Sequence, residues 1–228
     1  MDTDLATRLD EVDARIAGAA RSVGRDPAEL TRIVVTKFHP AALVRELHAL
    51  GVRDVAENRQ QEFTAKAVDV GDLDDLRWHF VGQLQTKKAR AVRSVASAVH
   101  SVDRERVADA LDAAGAERPP LDVFLQVNLT DDPARGGVEP SGLEHLAEHA
   151  ASCQTLRVRG IMAVAPLGEP PASAFERLAG YAQRLRKVVP DATWMSAGMT
   201  ADFAEAIAAG ATHLRIGTAI TGDRPDRG

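Results

Sequence analysis

The sequence predicts an α/β protein in which eight parallel strands, each followed by a helix, form a (β/α)8 barrel behind one extra N-terminal helix. Two observations predict this fold class. Short segments with a strand pattern alternate with amphipathic helical segments along the 228 residues, and eight such units can be counted. A doubly wound open sheet would give the same alternation, so the pattern prefers the barrel without excluding the open sheet.

The first segment is predicted to be an amphipathic helix. Leu5, Leu9, Val12, Ile16 and Val23 recur at spacings of three or four residues or their sum. Such spacing places apolar side chains on one face of a helix. This helix precedes the first strand and is the element outside the eightfold repeat.

The first strand–helix unit carries a lysine at the end of its strand. Residues 32–37 are a short β-branched run that closes with Lys37, and we interpret the run as a buried strand. Pro40 is expected at the first position of the next helix, with Gly51 as its stop. The seven later strands are predicted over Arg53–Ala56, Arg77–Val81, Ala98–Val102, Leu121–Val127, Val158–Ala163, Thr193–Met195 and His213–Ile216.

Local signals predict where several later helices begin and end. Asp103 is expected to cap a helix that Gly115 ends, since these residue types favour those positions. A long helix is expected over residues 172–189. Thr200 is expected to cap a shorter helix that carries Phe203.

No segment has the composition of a domain linker. Residues 130–141 and 166–171 are interpreted as long loops between strands and helices. We therefore expect residues 1–228 to form a single domain. Hydrophobic residues at 45% and charged residues at 27% suit a globular protein with a full core.

Charge and cysteine content exclude several classes of function. The net charge of −5 implies no general attraction to nucleic acid or to anionic lipid. Cys153 is the only cysteine, which excludes an intramolecular disulfide and a zinc cluster of thiolates. The acidic N-terminus does not look like a secretory signal, and no apolar run approaches the ~20 residues that span a bilayer. We expect a cytoplasmic protein without a membrane partner.

Functional side chains are expected at the carboxyl ends of the strands. Both parallel architectures place their ligand sites at that edge. The residues that reach it are Lys37, Glu57, Asn58, Gly82, Gln83, Asn128, Met162, Ser196, Gly198, Gly217 and Thr218.

Lys37 is the most informative of these residues. A lysine at the mouth end of an apolar strand would be partly withdrawn from water, which would make its amine a usable nucleophile toward aldehydes. The alternative is a surface lysine whose head group extends from the barrel rim into solvent.

The loops after the last two strands suit a phosphate group. Ser196 and Gly198 lie in one loop, and Gly217 and Thr218 lie in the other. Barrels often bind phosphate on backbone N–H groups at these two positions. The alternative is that the glycines only form tight turns. A nucleophilic lysine opposite a phosphate site indicates a phosphorylated aldehyde as the ligand.

Arg215 is two residues before Gly217, so both face the same side of the last strand. An arginine does not readily give up its proton, and a pyridine nitrogen that faced it would stay unprotonated. The alternative for Arg215 is a structural ion pair with a neighbouring carboxylate.

Several blocks of sequence, in order from about residue 30 to 224, resemble the YggS/PROSC family of pyridoxal-phosphate-binding homeostasis proteins. No single block is specific, but their order is. The blocks are VTKFHP at 35–40, AENRQQE at 56–62, WHFVGQLQTKK at 78–88, QVN at 126–128, RGIMA at 159–163, MSAGMTAD at 195–202 and HLRIGTAITG at 213–222.

The resemblance implies a TIM-type barrel like the N-terminal domain of alanine racemases. It implies that pyridoxal 5′-phosphate (PLP) is held as a Schiff base on Lys37, with Arg215 by its pyridine nitrogen and Asn58 nearby. It places the phosphate near Ser196, Gly217 and Thr218, with Gly198 in the same loop. Members of this family are linked to vitamin B6 and amino-acid homeostasis.

Two functional classes compatible with PLP remain open. The first is a protein that stores, delivers or buffers PLP, with PLP-dependent apoenzymes as its recipients and no robust turnover. The second is a weak amino-acid racemase, which needs a second acid–base group opposite the lysine. Tyr181, the only tyrosine, lies in a predicted outer helix. His39 and His79 could carry protons, although structural hydrogen bonding is the commoner role. The carrier is preferred.

A third class is a nucleic-acid or protein-binding module. Its basis would be the basic segment with Lys87, Lys88, Arg90 and Arg93. Solvated helix faces usually look like this, and the acidic total charge gives no support. We therefore expect no nucleic-acid partner. A monomer is expected, because the chain lacks the C-terminal domain through which alanine racemases pair.

Overall fold

The computed structural model describes residues 3–132 and 134–223, and its eight strands form a closed parallel barrel in sequence order. This confirms the predicted barrel and excludes the open sheet. The strands are β1 (Thr31–Val35), β2 (Asp54–Glu57), β3 (Arg77–Phe80), β4 (Ala98–Val102), β5 (Leu121–Gln126), β6 (Leu156–Met162), β7 (Trp194–Ser196) and β8 (His213–Ile216).

Helices pack around the barrel and cover its outer face. They are α1 (Thr3–Ser22), α2 (Ala41–Ala49), α3 (Gln60–Asp69), α4 (Ala89–Arg93), α5 (Glu105–Ala113), α6 (Leu143–Ser152), α7 (Pro171–Val188), α8 (Phe203–Ala208) and α9 (Thr218–Thr221). The main core lies between these helices and the outward-facing strand residues. Among the described residues, no helix is long and apolar enough to cross a membrane.

Barrel closure depends on β1, which pairs with β8 on one side and β2 on the other. Ile33 lies opposite Arg215, and Val34 lies opposite Ile216. Since strand side chains alternate between faces, this register decides which residues of β8 point into the barrel. It also brings the segment after β1 next to the loop after β8.

The inside of the barrel is filled largely by rings. His100 stacks on Phe124 with ring centroids 4.1 Å apart, and His213 lies 5.1 Å from Phe124 and 4.7 Å from Trp194. His79 completes this group at 5.1 Å from His100. Barrels of this type are more often filled by branched aliphatic residues. The interior here is therefore unusually rich in polar atoms.

Helix α1 packs on the outer wall, against α8 and α9. Leu5, Leu9, Val12 and Ile16 are buried as predicted, but Val23 is 44% exposed. Helix α1 ends at Ser22, so Val23 lies in the turn that follows. The buried residue of the last turn is Ala20.

The predicted starts of three helices are wrong by one or more residues. Pro40 is the residue before α2 and not its first residue. Asp103 precedes Arg104, the actual N-cap of α5, and pairs with the Arg104 guanidinium. Thr200 lies in a turn, and Asp202 precedes α8. A polar residue near a helix start is a weak signal where the loop fixes the chain direction.

The pairing of β6 and β7 leaves no space for a side chain at Gly160. A Cβ atom there would lie 1.7 Å from the Trp194 carbonyl oxygen. We expect Gly160→Ala to lower the free energy of unfolding by about 2 kcal/mol or more, because the backbone must move. Gly18→Ala is the control, since nothing lies within 4 Å of the added Cβ. That substitution should raise stability by about 0.5–1 kcal/mol in helix α1. Urea unfolding checks both; equal midpoints would contradict the close approach.

Candidate functional site

A cavity of about 400 Å³ lies at the carboxyl ends of the strands, and we call it the mouth cavity. It brings together five of the seven residues predicted to bind the cofactor: Lys37, Asn58, Arg215, Gly217 and Thr218. Its remaining lining residues are Val35, Val81, Gly82, Met162, Val164, Met199, Thr200 and Ala201. Apart from Thr200, the lining is therefore apolar on the side of β6 and β7, while the lysine follows β1 and the arginine lies on β8.

Lys37 lies in a tight turn beyond the end of β1. The His39 N–H donates to the Thr36 carbonyl (3.1 Å), which closes the turn. Phe38 has φ of 70° and is the one non-glycine residue with positive φ in the described part of the chain. Such a conformation is strained for an aromatic residue. The Phe38 N–H donates to Glu62 Oε2 (3.1 Å), which holds the turn in place.

The expected withdrawal of Lys37 from water is wrong. Its side chain is exposed at the rim of the mouth cavity. The reason is geometric: β1 ends at Val35, so Lys37 lies two residues beyond the strand. Its amine is accessible to an aldehyde from solvent, and it lies 5.8 Å from the Phe38 ring centroid.

A buried ion pair supports the same turn from below. Lys66 Nζ donates to Glu57 Oε1 (2.5 Å) and to the Thr36 carbonyl oxygen (2.7 Å). The Thr36 hydroxyl also donates to Glu57 Oε1 (2.6 Å). Burial raises the pKa of Glu57, although the hydrogen bonds from Lys66 and Thr36 act against the rise. Breaking this pair would leave a buried charge without compensation.

Asn58 presents a polar atom without a hydrogen-bond partner. Its Oδ1 is buried, and the described residues offer it no donor. Buried polar atoms are nearly always paired with protein, water or ligand. Because Asn58 also lines the mouth cavity, its amide is a candidate contact for a bound molecule.

Ser196 and Gly198 lie behind the cavity wall and not in its lining. Ser196 is fully buried, and its Oγ lies within hydrogen-bond distance of Arg215 Nη1 (2.6 Å) and His100 Nδ1 (2.8 Å). Gly198 has φ of 88°, and a Cβ there would lie 2.7 Å from the Ala206 Cβ. Glycine is therefore required for the loop after β7 to pack on α8. Both residues support the cavity from behind.

Arg215 is buried and points from β8 into the barrel. Its Nη1 donates to Ser196 Oγ, and its Nη2 donates to the Ala163 carbonyl oxygen (2.8 Å). Burial lowers the pKa of Arg215 to about 10. Within the described residues it forms no ion pair with a carboxylate, so the structural ion pair considered for it is not found.

The other residues considered as proton carriers lie away from the mouth cavity. His79 is inside the barrel, between Asp54 and His100. Tyr181 lies on α7 and lines a different cavity with Asn128. His39 is half-buried in the turn after Lys37, and burial together with the charge of Lys66 lowers its pKa.

Asn128 and Arg93, which belongs to the basic segment, have local structural roles. The Asn128 side-chain oxygen accepts from the N–H and hydroxyl of Thr130, and its amide donates to the Asp132 carbonyl (2.9 Å). Arg93, expected on a solvated basic face, is buried and donates to the Pro119 carbonyl oxygen.

The sequence reasoning missed Glu62 and Lys66. Both lie on α3, four residues apart, and both contact the turn that carries Lys37. Their spacing is the usual one for a solvent-exposed helical ion pair. Nothing in that pattern indicates that Lys66 is buried or that its partner lies on a strand.

A model of the alanine racemase N-terminal domain matches residues 8–225 of the chain. The chain is 42% identical to the pyridoxal phosphate homeostasis protein of Pseudomonas aeruginosa, over 96% of each chain. It is 37% identical to the protein of that name from Escherichia coli, over 97% of each.

Solved structures agree with this match. PipY from Synechococcus elongatus, solved with PLP bound, is 35% identical, with a TM-score of 0.84 over 96% of this chain and 100% of that one. Alanine racemase from Corynebacterium glutamicum has a TM-score of 0.67 at 15% identity, over 93% of this chain and 60% of that one. The racemase likeness is one of fold alone.

We expect Lys66→Met to destabilise the protein by about 3–5 kcal/mol at pH 7, because Glu57 keeps a buried charge without a partner. Burial already raises the pKa of Glu57 above 4.5, and loss of Lys66 removes an opposing influence. A raised folded-state pKa leaves stability intact below the unfolded value and removes it as the pH rises through the folded value. The deficit should therefore be smaller at pH 5 than at pH 7.

Urea unfolding of three proteins at both pH values checks this. Lys66→Met combined with Glu57→Gln is the matched control, and it should recover most of the lost stability because no buried charge remains. A pH-independent deficit in Lys66→Met would show that Glu57 is not the cause.

Proposed function

Since the chain belongs to the family of pyridoxal phosphate homeostasis proteins, we propose that it binds PLP in the mouth cavity and serves PLP homeostasis. One observation carries the proposal: the cavity places the Lys37 amine, the Arg215 guanidinium and the Gly217–Thr218 loop around one space. An amine that reacts with an aldehyde, a cation for a ring nitrogen and a glycine turn for a phosphate match the three parts of PLP.

The residues present fit this ligand. The volume of about 400 Å³ lies within the ~300–1,000 Å³ of small-molecule sites. The apolar wall that includes Met162 and Val164 offers a surface for an aromatic ring. The buried Asn58 Oδ1 lacks a donor, and a polar ligand group would supply one.

Each residue has a role in the proposal. Lys37 Nζ forms a carbon–nitrogen double bond with the PLP aldehyde carbon, a Schiff base, and the carbonyl oxygen leaves as water. Gly217 and Thr218 bind the phosphate through backbone N–H groups and the Thr218 hydroxyl. Arg215 faces the ring nitrogen and keeps it unprotonated. Asn58 contacts the ligand through its amide.

Ser196 and Gly198 act through other residues in this proposal. Ser196 fixes the guanidinium of Arg215. Gly198 fixes the loop after β7, and its carbonyl oxygen accepts from the Arg215 backbone N–H (3.0 Å). We propose that both shape the site without touching PLP.

Storage and delivery of PLP fit the lining better than turnover does. Among the described residues that line the mouth cavity, Lys37 and Arg215 are the ones with ionisable side chains. Racemisation needs a second acid–base group on the face of the ring opposite the lysine, and the described lining offers no histidine, tyrosine, cysteine or carboxylate for that role. We therefore propose a carrier that acts as one domain over residues 1–228, as a monomer, with PLP-dependent apoenzymes as recipients and a link to amino-acid homeostasis.

The Schiff base on Lys37 is tested by trapping. Borohydride reduction of the protein with PLP should fix the ligand covalently on the peptide that contains Lys37, as detected by mass spectrometry. Lys37→Ala should show neither the absorbance band of the Schiff base nor the modified peptide. Lys87→Ala is the matched control because Lys87 is exposed and lies outside the mouth cavity. Trapping on another lysine in wild type would overturn the assignment.

The carrier proposal is tested with amino acids. We expect wild-type protein loaded with PLP to produce no D-alanine from L-alanine above the level of free PLP, since a second acid–base group is missing from the described lining. Chiral chromatography of the mixture measures this. Turnover that Lys37→Ala abolishes would instead identify a racemase.

A further inference from the structure

Five buried side chains form a continuous hydrogen-bond chain through the barrel interior. Arg215 Nη1 donates to Ser196 Oγ (2.6 Å), which lies 2.8 Å from His100 Nδ1. His100 Nε2 lies 2.9 Å from His79 Nδ1, and His79 Nε2 lies 3.0 Å from Asp54 Oδ1. We call these residues the interior chain.

The two ends of the interior chain lie at opposite faces of the barrel. Arg215 lines the mouth cavity. Asp54 and His79 line a second cavity of about 250 Å³ on the side of the strand N-termini, the lower cavity. There the Arg77 guanidinium binds both carboxylate oxygens of Asp54, at 2.7 and 2.5 Å. The interior chain therefore connects the lower cavity to the proposed PLP site.

The chemistry of the two ends fixes the direction of the two outer hydrogen bonds. Arg215 can only donate, so Ser196 Oγ accepts from it and has its hydroxyl proton left for His100 Nδ1. Asp54 is ionised and can only accept: burial raises its pKa, but the hydrogen bonds from Arg77 and His79 outweigh this and lower it. His79 Nε2 therefore donates to Asp54.

The two histidines share one tautomer when each ring carries a single proton. A single proton on His79, at Nε2, leaves its Nδ1 to accept from His100 Nε2–H. His100 in turn accepts at Nδ1 from Ser196. Burial lowers the pKa of His100 well below its ordinary value, which fits a neutral ring. In this assignment every bond points from Arg215 toward Asp54.

The interior chain adds to the electrostatic support of the buried Arg215 charge, on which Asp202 acts without a direct contact. Arg215 is buried without a contacting carboxylate in the described chain, and a buried cation in that position is costly. The interior chain ends on the carboxylate of Asp54, and aligned hydrogen bonds polarise one another in a medium of low dielectric constant. Apolar side chains inside the barrel would pack equally well, but they would not connect Arg215 to Asp54 by hydrogen bonds.

We propose that Asp54, His79, His100 and Ser196 are positioning residues that hold Arg215 and its charge at the ring-nitrogen side of bound PLP. This inference rests on the proposed function for its effect on PLP. The direction of the interior chain does not, because it is a property of the PLP-free protein. The two can therefore fail separately.

The first test is nitrogen-15 NMR of the seven histidine side chains in PLP-free protein. We expect His79 and His100 each to carry the proton on Nε2 and to have a hydrogen-bonded, unprotonated Nδ1. His100→Phe assigns the His100 signals and retains the stacking on Phe124. A proton on His100 Nδ1 would overturn the proposed direction, whether or not PLP binds.

The second test removes charge at the far end of the interior chain. Asp54→Asn should raise the Kd for PLP by about threefold or more, as expected for residues coupled in one network, and should shift the absorbance maximum of bound PLP. Asp122→Asn is the matched control: Asp122 lines the same lower cavity but pairs with Arg157 (3.0 Å), outside the interior chain. It should change the Kd by less than about twofold.

The outcomes separate the claims. Equal effects of Asp54→Asn and Asp122→Asn on PLP would reduce the interior chain to barrel packing and overturn the proposal. If Asp54→Asn does not fold, the Kd for PLP is measured instead for His100→Phe, with Ser101→Ala as its control. Ser101 is the buried neighbour whose hydroxyl has no hydrogen-bond partner among the described residues. Wild-type protein that fails to bind PLP would overturn the proposed function, while the NMR result would still decide the chain.

Discussion

The pairing of the first strand with the last is the constraint on which the site depends. β1 and β8 are far apart in sequence, yet their register places Ile33 opposite Arg215 and Val34 opposite Ile216. Because strand side chains alternate, a slip of one residue would turn Arg215 out of the barrel. The same register sets the turn with Lys37 beside Gly217. Helix α1 reinforces the closure, since Arg8 Nε donates to the Ile220 carbonyl oxygen.

A closed barrel excludes most water from its interior, so polar residues inside it must satisfy one another. Here the interior holds His79, His100 and His213 among Phe124 and Trp194. Burial lowers the pKa of His213 to about 3, which keeps another positive charge away from Asp54 and Arg215. The neutral His100 ring lies between a buried carboxylate and a buried guanidinium and is connected to both by hydrogen bonds through its neighbours. Burying these polar groups costs free energy, and positioning Arg215 for a ligand is a function that explains why they are there.

The sequence predicts the features that depend on local pattern. The alternation of strand and helix patterns identified all eight strands, and the expectation that ligands bind at the carboxyl ends of parallel strands singled out Lys37 and Asn58. Arg215 followed from its place two residues before Gly217. Prediction from the sequence failed where two interacting residues are distant in sequence. Glu57 followed a predicted strand, but its buried bond to Lys66 depends on how α3 packs. The positive φ of Phe38 could not be predicted either, because an aromatic residue gives no sequence signal for that conformation.

Hydrogen bonds hold the turn that carries Lys37 on its inner side, while its outer side is exposed, and this combination suits the proposed carrier. From below, Glu62 and the Lys66–Glu57 pair hold the backbone of residues 36–38. From above, the side chain of Lys37 is exposed. An enzyme gains from excluding water around its reacting amine. A carrier gains when a second amine or an acceptor protein can reach the bond between its lysine and the ligand. An accessible lysine on a fixed turn provides this access.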